Sequence, residues 1–143
     1  MYKTILVPLD GSEIAASILE HVITLARGYG ARLMLLTVGQ PHPVVMSPAS
    51  DIQYTLTFQA EAYLERLRIA LEAQGLEVTT IVRIGEPAGE ILEVAERHHV
   101  DLIMINSRGG EGAPSPFFGS VAAKVAGASL VPVLVFHSPH MTA

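Results

Sequence analysis

A chain of 143 residues, half of them hydrophobic and 16% charged, makes one domain with a sizeable core and excludes disorder. Its net charge of −5, without a dense Lys/Arg cluster, argues against a phosphate-tracking nucleic-acid surface, and the absence of cysteine excludes disulfides and thiolate catalysis. No apolar run reaches the roughly 18–20 residues of a membrane span, and Pro8 and Asp10 cut the first one short of a secretory leader, so a cytoplasmic protein is expected.

Lys3 to Leu9 is short, apolar and without clean alternation, as strands covered on both faces are. Asp10-Gly11-Ser12 is a turn, with Ser12 placed to cap the next helix and Glu13 in its first turn. Ile14, Ile18, Val22, Leu25 and Tyr29 then form the apolar stripe of an amphipathic helix that stops at Gly30. Arg32 to Val38 is a second strand. Residues Gly39 to Ser50 carry three prolines and no periodicity, and read as a long loop able to move over a ligand.

Asp51 to Gln74 restores a helix, with Leu56, Ala60, Tyr63, Leu64, Leu67 and Leu71 on one face and Gly75 as its stop. Leu76 to Ile84 is the third strand. Pro87 suits the first turn of a helix that runs to about His99 and faces Ile91, Leu92 and Ala95 inward. Val100 to Ile105 is the fourth strand. A short helix over Val121 to Gly127 and a fifth strand over Val131 to Phe136 complete the chain.

Five alternations of strand and helix predict an open, five-stranded parallel sheet with helices on both faces and right-handed crossovers. Ligands of such sheets sit beyond the carboxyl ends of the strands, where strand order reverses. Asp10, Val38 and Asn106 all fall at strand ends of that kind. Between the fourth strand and the short helix lies Asn106 to Ser120, NSRGGEGAPSPFFGS. A strand feeding a glycine-rich loop that ends on a helix start builds an anion site, because bare backbone N–H groups approach the phosphate closely. Gly119-Ser120 supplies a bare N–H and a hydroxyl read as the N-cap of the following helix.

These stretches together resemble the universal stress protein family. Ile5 to Ser12 (ILVPLDGS), Gly85-Glu86-Pro87-Ala88, Asp101-Leu102-Ile103-Met104 and Val131 to Val135 carry the resemblance over nearly the whole chain. Nucleotide-binding members have a glycine, two residues, a second glycine, nine residues, then Gly-Ser or Gly-Thr. Gly109, the nine residues Gly110 to Phe118, and Gly119-Ser120 match that spacing. The resemblance implies a Rossmann-like fold similar to the adenine nucleotide alpha hydrolases, and ATP or a related adenine nucleotide, with or without Mg, as ligand. It implies that Gly109, Gly119 and Ser120 hold the phosphates, that Asp10 sits by the ribose or adenine, and that Val38 lines the adenine pocket. It further implies a homodimer through the C-terminal strand. Pro132 confines its segment to a sheet edge or to a strand's first residues, and Val133 to Phe136 is an apolar run that needs cover.

Asn106 stands where the family motif has its first glycine. A positive φ there would suit Asn best among replacements, whereas close backbone approach to a ligand would make the side chain an obstacle. Two further readings of the same fold stand beside the binding module: an interaction protein without nucleotide, favoured by Asn106, and a slow ATP hydrolase, which lacks an evident general base. No Walker sequence, dinucleotide fingerprint or Gly-x-Ser-x-Gly elbow is present. His137 and His140 are weak metal ligands without nearby carboxylates, and His98-His99 ends a helix.

Overall fold

The structure, a computed structural model, describes residues 1–12, 17–39, 51–107 and 116–137, with the side chains of 51–56 and 116–118 left aside. In chain order these form β1 (Thr4–Leu9), α1 (Leu19–Tyr29), β2 (Arg32–Gly39), α2 (Asp51–Glu72), β3 (Val78–Ile84), α3 (Pro87–Arg97), β4 (Leu102–Asn106), α4 (Pro116–Ala128) and β5 (Val133–Phe136). The five strands make one parallel sheet in the order β3-β2-β1-β4-β5. The predicted α/β architecture is the observed one.

Strand side chains alternate between faces, so one short apolar run feeds two cores. Ile5, Val7 and Leu9 of β1 join Val22 and Ala26 of α1 and Leu64 and Leu71 of α2. Leu6 joins Ile91 and Val94 of α3 and Val121 and Val125 of α4. The first two helices therefore cover one face of the sheet and the last two cover the other. Double coverage is why β1, buried at all six positions, shows no alternation in its sequence.

The helix stops follow local chemistry. Gly30, at φ 63°, closes α1 in the left-handed region, and Gly75, at φ 87°, follows α2. His98 caps α3, and His99 turns the chain at φ 52°. Glu86 opens α3: its carboxylate accepts from the Ala88 and Gly89 N–H groups, with Pro87 at the first helical position. The cap at Glu86 is a feature the sequence reading did not single out.

The described α1 begins at Leu19 with Ile18 as an N-cap that makes no side-chain bond, and residues 13–16, the first turn assigned to a Ser12 cap, lie outside the described residues. The Ser12 hydroxyl donates to Asp10 Oδ1. One predicted cap is corrected. Ser120 is not an N-cap, because α4 starts at Pro116 and encloses both Gly119 and Ser120. Proline loses nothing at a first helical position, where its missing N–H would have no intrahelical partner. A glycine inside a helix costs only about 1 kcal/mol, which docking of Val121, Ala122 and Val125 onto the sheet outweighs. Tyr29, assigned to the apolar stripe, ends α1 at 46% exposure with its ring edge-on to Tyr2.

Candidate functional site

The chain builds β1, β2 and β3 outward in one direction, then returns to place β4 on the other side of β1. Strand order reverses between β1 and β4, so their carboxyl ends diverge and leave a crevice. Asp10 follows β1 and Asn106 ends β4. Val38 stands one residue beyond Thr37, which pairs with Leu9, so Val38 is level with Asp10. Asp10 and Val38 line one shallow cleft of about 20 Å³ together with Leu36, Pro87 and Ile91. Two larger hollows, of about 420 and 490 Å³, lie elsewhere, and neither is lined by a predicted site residue. Position in the topology, rather than volume, marks the candidate site.

Asp10 has turn chemistry as well as a site position. Its Oδ1 accepts from the Ser12 N–H at 3.0 Å and from the Ser12 hydroxyl at 2.5 Å, while Gly11 takes φ 89° between them. Tyr63 of α2 locks this turn by donating its hydroxyl to the Ser12 carbonyl at 2.9 Å. The half-buried carboxylate is thus held at the crevice by a fixed backbone rather than by a flexible stem.

Asn106 is not a loop residue. It is the last residue of β4, fully buried and paired in register with Phe136. Its φ is not positive, so the turn account of the missing glycine fails. Alternation puts Met104 in the core under α1 and α2, and Asn106 follows on the same face. Its amide Nδ2 donates to Ser17 Oγ at 3.5 Å, ahead of α1. Val38, Pro87 and Ile91 belong to the opposite face.

Gly119 sits tight against the end of β4. A Cβ at this position would lie 3.2 Å from the Ser107 carbonyl oxygen, so a side chain there would press on the residue that follows β4 and demand a shift of a few tenths of an ångström. Ser120 is exposed one residue on. Gly109 and the proposed lid over 40–50 lie outside the described residues.

The structure adds two residues to this end of the sheet. The Ser107 N–H donates to the Phe136 carbonyl at 2.7 Å, and Ser107 Oγ lies 2.9 Å from His137 Nδ1. Neither residue was assigned to the site from sequence. The signal that finds them is register: once Asn106 pairs with Phe136 in parallel, the next residues stand side by side. Among the described residues no group of three His, Asp or Glu side chains is placed to hold a metal. No described helix is long and apolar enough to cross a membrane.

An open parallel sheet with its candidate site at the strand-order reversal is the class this geometry defines. The sequence pattern of the universal stress protein family matches residues 1–137. Universal stress protein YxiE of Bacillus subtilis is 33% identical, over 94% of this chain and 99% of its own. The solved structure of protein MJ0577, a universal stress protein of Methanocaldococcus jannaschii, superposes with a TM-score of 0.86 at 32% identity, over 98% of this chain and 99% of that one. A universal stress protein solved in complex with cAMP shares the fold at a TM-score of 0.74 and 24% identity, over 96% of this chain and 99% of that one. The chain belongs to the universal stress protein family.

Proposed function

We propose that this chain is a single-domain binding module for an adenine nucleotide, ATP by preference, and that it reports cellular state in the cytoplasm as a homodimer. The observation that carries the reading is the meeting of Asp10 and Val38 in one cleft at the carboxyl ends of β1 and β2, next to the strand-order reversal between β1 and β4, on whose far side Gly119 of α4 docks on Ser107. The cAMP bound by a universal stress protein of the same fold supports an adenine nucleotide as the ligand. Val38 and Ile91 offer the apolar wall for the ring, Asp10 an acceptor for ribose hydroxyls, and the segment from Gly109 to Ser120 the phosphate donors. Charge-assisted N–H bonds to phosphate contribute roughly 1.5–3 kcal/mol each, so a few suffice for micromolar affinity.

β5 is an edge strand of four residues, and its Leu134 is 39% exposed. A second β5 across a two-fold axis would cover this edge. Calorimetry with ATP, together with nucleotide analysis of heat-denatured purified protein, tests the ligand. No heat at millimolar ATP and no released nucleotide would leave the interaction-only reading in its place. Sedimentation tests the dimer: wild type is expected at twice the chain mass at micromolar concentration, and Leu134→Lys at the chain mass.

A further inference from the structure

We infer that the hollow between the carboxyl ends of α3 and α4 binds a small organic ammonium ion that carries an apolar group. The hollow measures about 420 Å³, a size common among small-ligand sites. It lies at the amino ends of β4 and β5, the opposite end of the sheet from Asp10 and Val38, and stands independently of the nucleotide reading. Leu92, Val100, Leu130 and Val131 give it apolar surface, and Glu96 and Asp101 bring carboxylates to it.

Leu130 marks the apolar half of the site. It is 93% exposed, more than any other large hydrophobic side chain described, although it borders apolar surface. Covering a leucine of this kind with a ligand's hydrocarbon is favourable in proportion to the area removed from water. The backbone holds it in that position. Ser129 Oγ accepts from the Val131 N–H at 3.1 Å and donates to the Val131 carbonyl at 2.7 Å, fixing the turn on which Leu130 stands. The facing wall is fixed as well: His99 turns the chain at φ 52°, and the Val100 N–H closes on the Ala95 carbonyl at 3.0 Å. A wall built in advance loses little freedom when a ligand arrives.

Charge at the hollow selects a cation. α3 ends at Arg97 and α4 at Ala128, and a helix carboxyl end carries about half a negative charge. Those two ends act together with Glu96 and Asp101. Asp101 is held in place because its Oδ2 accepts the backbone N–H groups of Lys3 and Thr4. Arg97 turns back along α3 to Glu93 at 3.3 Å and does not line the hollow. His99 does line it, and opposes a cation only when its ring is protonated. An anion would be repelled here, and an uncharged molecule would forgo the attraction.

The test titrates the isotopically labelled full chain with phenethylammonium at about pH 8, where an unperturbed histidine ring is neutral, and follows the backbone amide resonances. The expected result is saturable shifts at Val100, Asp101, Leu130 and Val131, with a submillimolar dissociation constant. Phenylpropanoate and phenylethanol, similar in shape, are expected to bind about tenfold more weakly or worse. Leu130→Ala should weaken the ammonium about tenfold and Glu96→Gln about threefold; both positions are exposed, so the fold is retained. Equal affinity for phenylethanol, or unchanged ammonium affinity in both variants, overturns the site. Shifts gathered instead at Asp10 and Val38 overturn it as well, because they place the amine in the cleft at the other end. So does the absence of saturable shifts at millimolar amine.

Discussion

The two ends of the sheet are built from similar residues and do different things. At the amino ends, polar groups close on one another. Asp101 Oδ2 accepts the backbone N–H groups of Lys3 and Thr4 at 3.0 and 2.9 Å, and Arg32 donates to Thr4 Oγ1 at 3.1 Å while facing Glu77. At the carboxyl ends Asp10 is spent on shaping a turn, and the buried Thr37 hydroxyl has no hydrogen-bond partner among the described residues. Ser107 and His137 pair beside a glycine that a Cβ would crowd. An end that satisfies its own polar groups is stitching. An end that leaves hydroxyls and bare backbone in place is where a ligand would complete the bonding.

The sharpest break of that contrast is Gly119→Val. Its side chain meets the Ser107 carbonyl and displaces α4, so ATP binding is expected to fall below detection by calorimetry, with far-ultraviolet circular dichroism showing a retained fold. Next comes a matched pair, Asp101→Ala and Asp10→Ala. The first removes the acceptor of two backbone N–H groups and should cost about 2–3 kcal/mol of unfolding free energy in urea with ATP affinity unchanged. The second should lower ATP affinity about tenfold or more; equal affinity in both variants would erase the distinction between the ends.

Asn106→Gly sharpens the comparison from inside the sheet. Because the amide is directed to Ser17 on the α1 face, its removal is expected to change ATP affinity less than threefold while costing about 1–3 kcal/mol of stability, from lost packing and a glycine in a strand. A tenfold gain in affinity would show instead that the side chain obstructs the ligand. Thr37→Val removes an orphan hydroxyl at nearly constant shape, so a stabilisation of about 1 kcal/mol in the same urea titration is expected.

The smallest effect lies away from both ends, on α2. Arg68 donates to Glu65 and to Glu72, and its guanidinium holds Glu65 below the usual carboxylate range. A lowered folded-state pKa means that the stabilisation is present above the ordinary carboxylate range and is lost as pH falls through the lowered value. Both groups are solvent-screened, so Arg68→Ala should flatten the acid limb of a thermal-melting profile only slightly.

Much of the fold that carries this contrast is legible in the sequence. Short, mostly apolar runs without alternation at Lys3 to Leu9 and Val100 to Ile105 signal buried parallel strands, since both faces demand hydrophobic residues. Gly30 and Gly75 signal stops, since left-handed backbone excludes most side chains. Local chemistry of this kind travels with the residue. Ser120 is the converse case: its hydroxyl looks like a cap by its neighbours, but where a helix begins depends on which turns can dock on the sheet. Glu86 was passed over because its capping bonds depend on backbone geometry at a proline that several side chains would tolerate.

By itself, then, the sequence determined the family, the strand-helix alternation and the strand ends at which Asp10, Val38 and Asn106 stand, because hydrophobic period and turn residues act over a few neighbours. Tertiary structure alone decided that Asn106 is buried under α1, that Gly119 rests on the Ser107 carbonyl, and that Ser107 meets His137. Those contacts join residues from separate elements. Register and helix docking bring them together, and a pattern confined to one stretch of chain does not encode the distance between two stretches.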